Sequence, residues 1–218
     1  MCGRFTQTAI ERYADLFEAS AGILLHQSYN IAPSQQIVAC RRSEMGWREL
    51  SLLRWGLIPH WAKDPRTGYS MINARAETVA DKPAYRDAFK KRRCLIPTEG
   101  FYEWKPGMSR KQPYYIHRKD GEPFAFAGLW EHWELEDLKI DSCTIIVTEA
   151  NKLIATIHDR MPVIVDRSDY EQWLDPEQGK EALLSLLKPY PEKDMEAYPV
   201  GLAVNKPGNN GADLIDSI

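Results

Sequence analysis

The chain has 218 residues and a formal net charge of −3, with 28 Lys/Arg against 31 Asp/Glu. That length can bury a sizeable core, and β-rich domains reach it as one unit. No apolar run approaches the ~18–20 residues that cross a bilayer, no basic-then-apolar leader opens the chain, and four scattered cysteines without a C-x-x-C pair point to reduced thiols in a cytoplasmic protein.

The predicted elements follow in order. Thr8 and Glu11 have capping-box spacing, and Ile10, Ala14 and Phe17 recur on one face, which predicts a helix to about Ser20 that ties the N-terminus to the body. Residues 29–33 read as a turn or short extended piece, and 36–40 and 50–55 as strands. Gly56 to Trp61 breaks the strand pattern, and a polar loop runs to Ser70. A short helix over 83–90 has Pro at its first turn. Residues 93–97 and 101–104 are strand-like. Residues 113–117 and 124–130 flank Lys119-Asp120-Gly121-Glu122, which predicts a hairpin. Residues 143–147 form an apolar strand, 151–157 a short helical piece and 161–165 a further strand. Ser168 and Glu171 form a second capping box, 181–187 is a short amphipathic helix, and the tail from Ala203 is rich in Asn and Gly. Many short strands with few helices predict an α+β, mainly β fold, read as one domain over residues 1–218.

Charge is unevenly placed. Residues 41–119 carry 18 Lys/Arg against 8 Asp/Glu, and the remainder carries 10 against 23. A basic surface facing an anionic partner is one reading, and charges that are close in sequence but scattered in space is the other.

Met1-Cys2-Gly3-Arg4-Phe5 carries the most distinctive chemistry. Once Met1 is removed, Cys2 presents a thiol and a free α-amine on adjacent carbons. An amine with a pKa of about 7.7–8.0 is partly neutral near pH 7 and attacks an aldehyde to give an imine. The thiol then closes a five-membered thiazolidine. An internal cysteine, whose nitrogen is an amide, cannot do this. Cys40, Cys94 and Cys143 read instead as buried structural thiols.

Three polar residues lie inside apolar or aromatic runs. Glu103, between Tyr102 and Trp104, reads as a partly desolvated carboxylate able to move protons, or as a surface carboxylate paired with Lys105. His158 reads as a proton shuttle or a structural imidazole. Asn73 reads as an amide that orients a hydroxyl, or as a turn residue. Arg54, Trp55, His60, Trp61, Lys63, Arg66 and Arg75 mix cations with aromatics in the manner of single-strand nucleic-acid surfaces, with core packing the other fate of Trp55.

Taken together, these stretches resemble the SRAP (SOS response-associated peptidase) family of abasic-site processing proteins. The motifs that carry the resemblance are the Cys2 pentapeptide, Tyr29-Asn30-Ile31-Ala32-Pro33, Trp55-Gly56-Leu57-Ile58-Pro59-His60-Trp61, Ile72-Asn73-Ala74-Arg75-Ala76-Glu77-Thr78, Glu99-Gly100-Phe101-Tyr102-Glu103-Trp104, Ile157-His158-Asp159-Arg160-Met161-Pro162 and the Asn-Gly tail.

The resemblance implies a single SRAP domain with barrel-like antiparallel sheets, peripheral helices and a concave face for single-stranded DNA containing abasic sites. It implies that Cys2 is the nucleophile, that Asn73 positions the sugar and the N-terminus, that Glu103 carries a proton, and that His158 is the acid/base for the imine. It implies that Arg4, Arg75 and Arg160 contact phosphate and that Trp61 borders the DNA. Where some relatives carry a second Trp after the Trp61 position, this chain has Ala62. A DNA-damage (SOS) role, autopeptidase (hydrolase, protease) and weak lyase activities, no cofactor, no metal, no membrane and a monomer are the remaining expectations. The rival readings are an N-terminal-nucleophile amidohydrolase, whose members also begin Met-Cys-Gly, a plain peptidase, and a non-catalytic single-strand-binding module.

Overall fold

A computed structural model describes residues 2–20, 22–24, 26–107 and 110–218. The strands are β1 (Arg4–Gln7), β2 (Ser28–Ile31), β3 (Gln36–Arg42), β4 (Arg48–Trp55), β5 (Asn73–Arg75), β6 (Arg93–Thr98), β7 (Gly100–Lys105), β8 (Gln112–Arg118), β9 (Phe124–Leu135), β10 (Leu138–Glu149), β11 (Arg160–Pro162), β12 (Ile164–Val165) and β13 (Met195–Pro199). The helices are short: α1 (Tyr13–Phe17), α2 (Arg86–Lys91), α3 (Tyr170–Leu174) and α4 (Lys180–Ser185). The mainly β, α+β expectation holds. Among the described residues no helix is long and apolar enough to cross a membrane.

Two sheets build the molecule. In the larger, β10, β4, β3, β6 and β9 pair in that order, and β9 pairs back onto β10, so the five strands close a barrel. The β10–β4 pairing is parallel and the other four are antiparallel. The smaller sheet runs β13-β8-β7-β1-β2. Successive strand side chains point to opposite faces, and the barrel strands use both. Val38, Cys40, Leu95 and Leu129 pack with Phe17, Phe89 and Trp173 of the helices. Ile37, Ala39, Ile96 and Phe126 share a cluster with Phe5, Phe101 and Ile116 of the smaller sheet, and Cys2 belongs to it. The three internal cysteines are free and buried, as expected.

Three local expectations are corrected. First, the helix after Thr8 is a 3-10 turn (Ile10–Arg12) followed by the five residues of α1. Glu11 does not close a capping box. The Glu99 carboxylate does the capping from a distant part of the chain, accepting from Thr8 N at 2.7 Å, Thr8 Oγ1 at 2.8 Å and Ala9 N at 3.2 Å. Second, Ser168 and Glu171 are not a capping box either. Asp166 accepts from Ser168 N, and Glu171 pairs with Arg42 and Arg48. Third, Asp120-Gly121 turns the chain, with Gly121 at φ +69°, but does not make a hairpin. β8 pairs with β7 and β13 in one sheet, and β9 runs in the other. The turn chemistry is local, whereas the pairing partner is chosen by which apolar face each strand must bury.

One stretch of backbone positions the site. β4 ends at Trp55, the chain leaves the sheet over residues 56–72, and β5 rejoins it alongside the same strand, parallel to β10, with Asn73 opposite Ile145. The exit is at Gly56, whose φ is +127° and whose N–H bonds Cys143 O at 2.8 Å. A Cβ there would sit 2.5 Å from Gly68 O. Gly56→Ala is therefore expected to destabilise the protein by about 2–3 kcal/mol through strain and overlap. That loss corresponds to a Tm lower by roughly 4–12 °C for a chain of this size. Thermal unfolding followed by circular dichroism checks it, and an unchanged Tm would mean that the Gly56–Gly68 approach is not tight.

Candidate active site

Cys2 is fully buried, two residues before the start of β1. Its carbonyl accepts from Asn73 Nδ2 at 2.9 Å, so the short strand β5 holds the N-terminal segment in place. Asn73 Oδ1 is buried and accepts no hydrogen bond from a described residue. A buried acceptor left without a donor is costly, which makes it a position where a hydroxyl or an amine would be held. The Cys2 thiol lies 3.9 Å from Arg4 O, and burial, reinforced by the nearby Glu103 carboxylate, pushes its pKa well above the ordinary range. At neutral pH the thiol is therefore un-ionised.

Glu103 is 2 % exposed, on β7 beside β1, where Arg4 pairs with Tyr102. Burial raises its pKa, and His158 works against that rise. A surface pairing with Lys105 is thereby set aside, because the carboxylate is inside and Lys105 is exposed. His158 follows the 3-10 turn Ile154–Thr156. Its Nδ1 accepts from Arg160 N at 3.0 Å in the neutral ring, which leaves the proton on Nε2. Asp159 Oδ1 lies 2.9 Å from the same nitrogen.

Glu103, His158 and Arg4 line one cleft of about 410 Å3 together with Trp104, Lys111 and Asn205. The last three had no role in the sequence reading. Trp104 stood next to Glu103 in an aromatic motif and could have been chosen on that ground. Asn205 could not, because its place depends on the tail folding back: its Oδ1 accepts from Trp104 Nε1 at 2.7 Å. That tail is clasped by Asn30, whose Nδ2 donates to Val204, Lys206 and Asn209 carbonyls. Arg4 joins the clasp through Asn30 Oδ1 at 2.8 Å and Val204 O at 2.7 Å, and burial lowers its pKa.

The other predicted contacts lie off this cleft. Arg75 is exposed on β5, two residues from Asn73. Arg160 starts β11 and its guanidinium pairs with Glu77. Trp61 is 56 % exposed on the 56–72 excursion, whereas Trp55 is core, donating to Ile72 O at 2.9 Å and meeting Phe5 edge-on. Ala62 packs with Trp133, which donates to its carbonyl. Among the described residues no group of three or more His, Cys, Asp or Glu side chains could hold a metal ion.

The SOS response associated peptidase (SRAP) profile matches residues 1–207. The chain belongs to the SRAP family. Among its relatives is the abasic site processing protein YoaM of Bacillus subtilis, 47 % identical over 224 residues that cover 100 % of this chain and 98 % of YoaM. The abasic site processing protein YedK of Escherichia coli is 28 % identical, with both chains covered in full. HMCES of Xenopus tropicalis, also an abasic site processing protein by name, is 33 % identical over 78 % of this chain and 58 % of its own. A crystal structure from Bacteroides thetaiotaomicron superposes on this SRAP chain with a TM-score of 0.89 at 28 % identity, covering 100 % of both chains.

Proposed function

We propose that this SRAP protein captures abasic sites in single-stranded DNA as a covalent thiazolidine at Cys2, and so shields the lesion during the response to DNA damage. The observation that carries the proposal is a buried N-terminal cysteine whose carbonyl is held by Asn73 and whose thiol has the buried Glu103 carboxylate nearby, with His158 sharing a cleft with that carboxylate. The names of the relatives support the choice of lesion.

Met1 leaves first, by autoproteolysis or by another peptidase; it lies outside the described residues. The abasic sugar then opens to its aldehyde, with Glu103 moving a proton. Burial raises its pKa, which favours a carboxyl that holds a proton and can pass it on. The Cys2 amine adds to the aldehyde carbon, and loss of water leaves an imine. His158 supplies and removes the proton in that step. The thiol, un-ionised while buried, passes its proton to Glu103 and adds to the imine carbon, closing the ring. In sum, aldehyde, amine and thiol become one thiazolidine and one water. An imine left open permits β-elimination, which gives the expected weak lyase activity. Asn73 Oδ1 is the acceptor that holds the amine or a sugar hydroxyl, and Arg4, Arg75, Arg160 and Trp61 contact the strand.

The order of events makes the free amine indispensable. Protein carrying one additional residue before Cys2 is expected to form no heat-stable adduct with an abasic oligonucleotide on a denaturing gel, while processed protein forms it quantitatively. Equal adduct from both would make the thiol alone the nucleophile and revive the peptidase reading.

A further inference from the structure

Part of the basic middle segment is tied up by other groups of the fold. Arg41 pairs with Glu49 and Asp141, Arg42 and Arg48 with Glu171, Arg66 with Asp64, and Arg118 with Asp120. Arg93 is buried, and its guanidinium is spent on the carbonyls of Phe89, Lys90, Trp173 and Asp175. Local charge in the sequence is thus not one surface, and of the cations left without an ion pair to a described residue, Lys90 and Lys91 share a cleft.

Lys90, Lys91 and Arg92 close α2 and line a second cleft, of about 480 Å3, with His60, Asp87 and Glu131. Glu131 is 4 % exposed and forms the fixed part of it. One of its oxygens takes Arg92 Nη2 at 2.7 Å and faces His60 Nδ1 at 3.3 Å, and the other accepts from His132 N at 3.1 Å. Its charge is therefore matched by Arg92. Asp87 has Arg86 at 3.5 Å. Lys90 and Lys91 have no ion pair with any described residue, and both are exposed. The inward turn of Arg93 holds the three preceding cations on this side. The other wall is equally fixed: Ile58 N donates to Ser142 Oγ at 2.8 Å and Ala62 N to Pro59 O at 2.8 Å, which holds His60 of the cleft wall on a hydrogen-bonded turn.

We propose that this cleft is a second nucleic-acid subsite, separate from the one lined by Glu103 and His158, in which Lys90 and Lys91 neutralise backbone phosphates of DNA that flanks the abasic nucleotide. The assignment rests on the abasic-site reading for its ligand. The physical basis is independent: exposed cations without an ion-pair partner around a concavity are what the phosphates of a phosphodiester strand take up. Phosphate from a single-stranded flank and phosphate from a duplex arm share this chemistry.

The test is the salt dependence of binding, read by fluorescence anisotropy with two labelled abasic probes, one single-stranded with long flanks and one with a duplex arm. The proteins are wild type, the Lys90→Gln/Lys91→Gln double variant, and a Lys119→Gln/Lys193→Gln control that removes the same charge elsewhere. Both substituted pairs are exposed, and equal melting temperatures verify the fold. Loss of two phosphate contacts lowers the slope of log K against log salt by about 1.4 on a single strand or about 1.8 on duplex. The probe on which the fall occurs identifies the flank. Crosslinking to an oligonucleotide too short to span both clefts stays at the wild-type rate. A double variant whose slope matches the control on both probes overturns the subsite and leaves the crosslinking reading intact. A wild type that binds with the expected slope but never forms an adduct overturns the crosslinking and leaves the subsite.

Discussion

A Cys2→Ser protein is expected to capture the abasic aldehyde without keeping it. The substitution leaves the α-amine, its hydrogen-bonded carbonyl at Asn73 and the neighbouring Glu103 unchanged. It replaces a sulfur nucleophile by a hydroxyl that adds poorly to an imine. The reaction should therefore stop at the imine. On a denaturing gel after heating, adduct should fall to background. With borohydride present during incubation, the imine is reduced to a secondary amine and the adduct should return to a level close to wild type. The buried, un-ionised state of the thiol supports this order, because a thiol held above its ordinary pKa is a poor first nucleophile and a good second one once a base has taken its proton. A heat-stable adduct from Cys2→Ser without borohydride would show that sulfur is not part of the linkage.

Glu103→Gln is the second large effect, and it separates activity from stability. The amide keeps the shape and removes the titrating proton. Loss of a positioned proton carrier slows linkage by roughly 10²–10⁴-fold. Stability should move the other way. Burial raises the folded-state pKa of Glu103, so the folded chain holds that proton more tightly than the unfolded chain. The resulting stabilisation is fully present below the unfolded value of about 4.3 and is lost as pH rises through the folded value. Above that window the buried carboxylate is charged and burdens the fold, whereas the amide is neutral throughout. The difference in Tm, variant minus wild type, is expected to grow as pH is raised from about 4 to about 8, across the unfolded carboxyl and histidine values. A difference that stays flat over that range would mean that Glu103 does not titrate differently in the fold, and an unchanged linkage rate would remove it from the mechanism.

The reactive N-terminus was legible because its chemistry is local: an α-amine and a thiol on adjacent carbons need no tertiary partner to be recognised. Glu103, Asn73 and His158 stood out as polar residues among apolar neighbours, and burial of Glu103 is the physical counterpart of that pattern. What was not legible depends on long-range closure. Glu99 caps the turn after Thr8 from ninety residues away, so the local Thr8–Glu11 spacing was a decoy. Asp120-Gly121 announced a turn, but nothing local to it says that β8 and β9 bury their faces in different sheets. Asn205 reaches the cleft only because Asn30 and Arg4 gather the tail. The basic middle segment was open for the same reason, because which of its cations are paired depends on acids far along the chain such as Glu131, Asp141 and Glu171.

The central claim is that one aldehyde, one amine and one thiol become a ring and a water. Intact mass of Met1-free protein after incubation with abasic single-stranded DNA measures that directly. The account predicts a species equal to protein plus oligonucleotide minus one water, unchanged by borohydride and surviving heat. A mass equal to the plain sum, a species that gains two hydrogens on reduction, or no covalent species at all would contradict it.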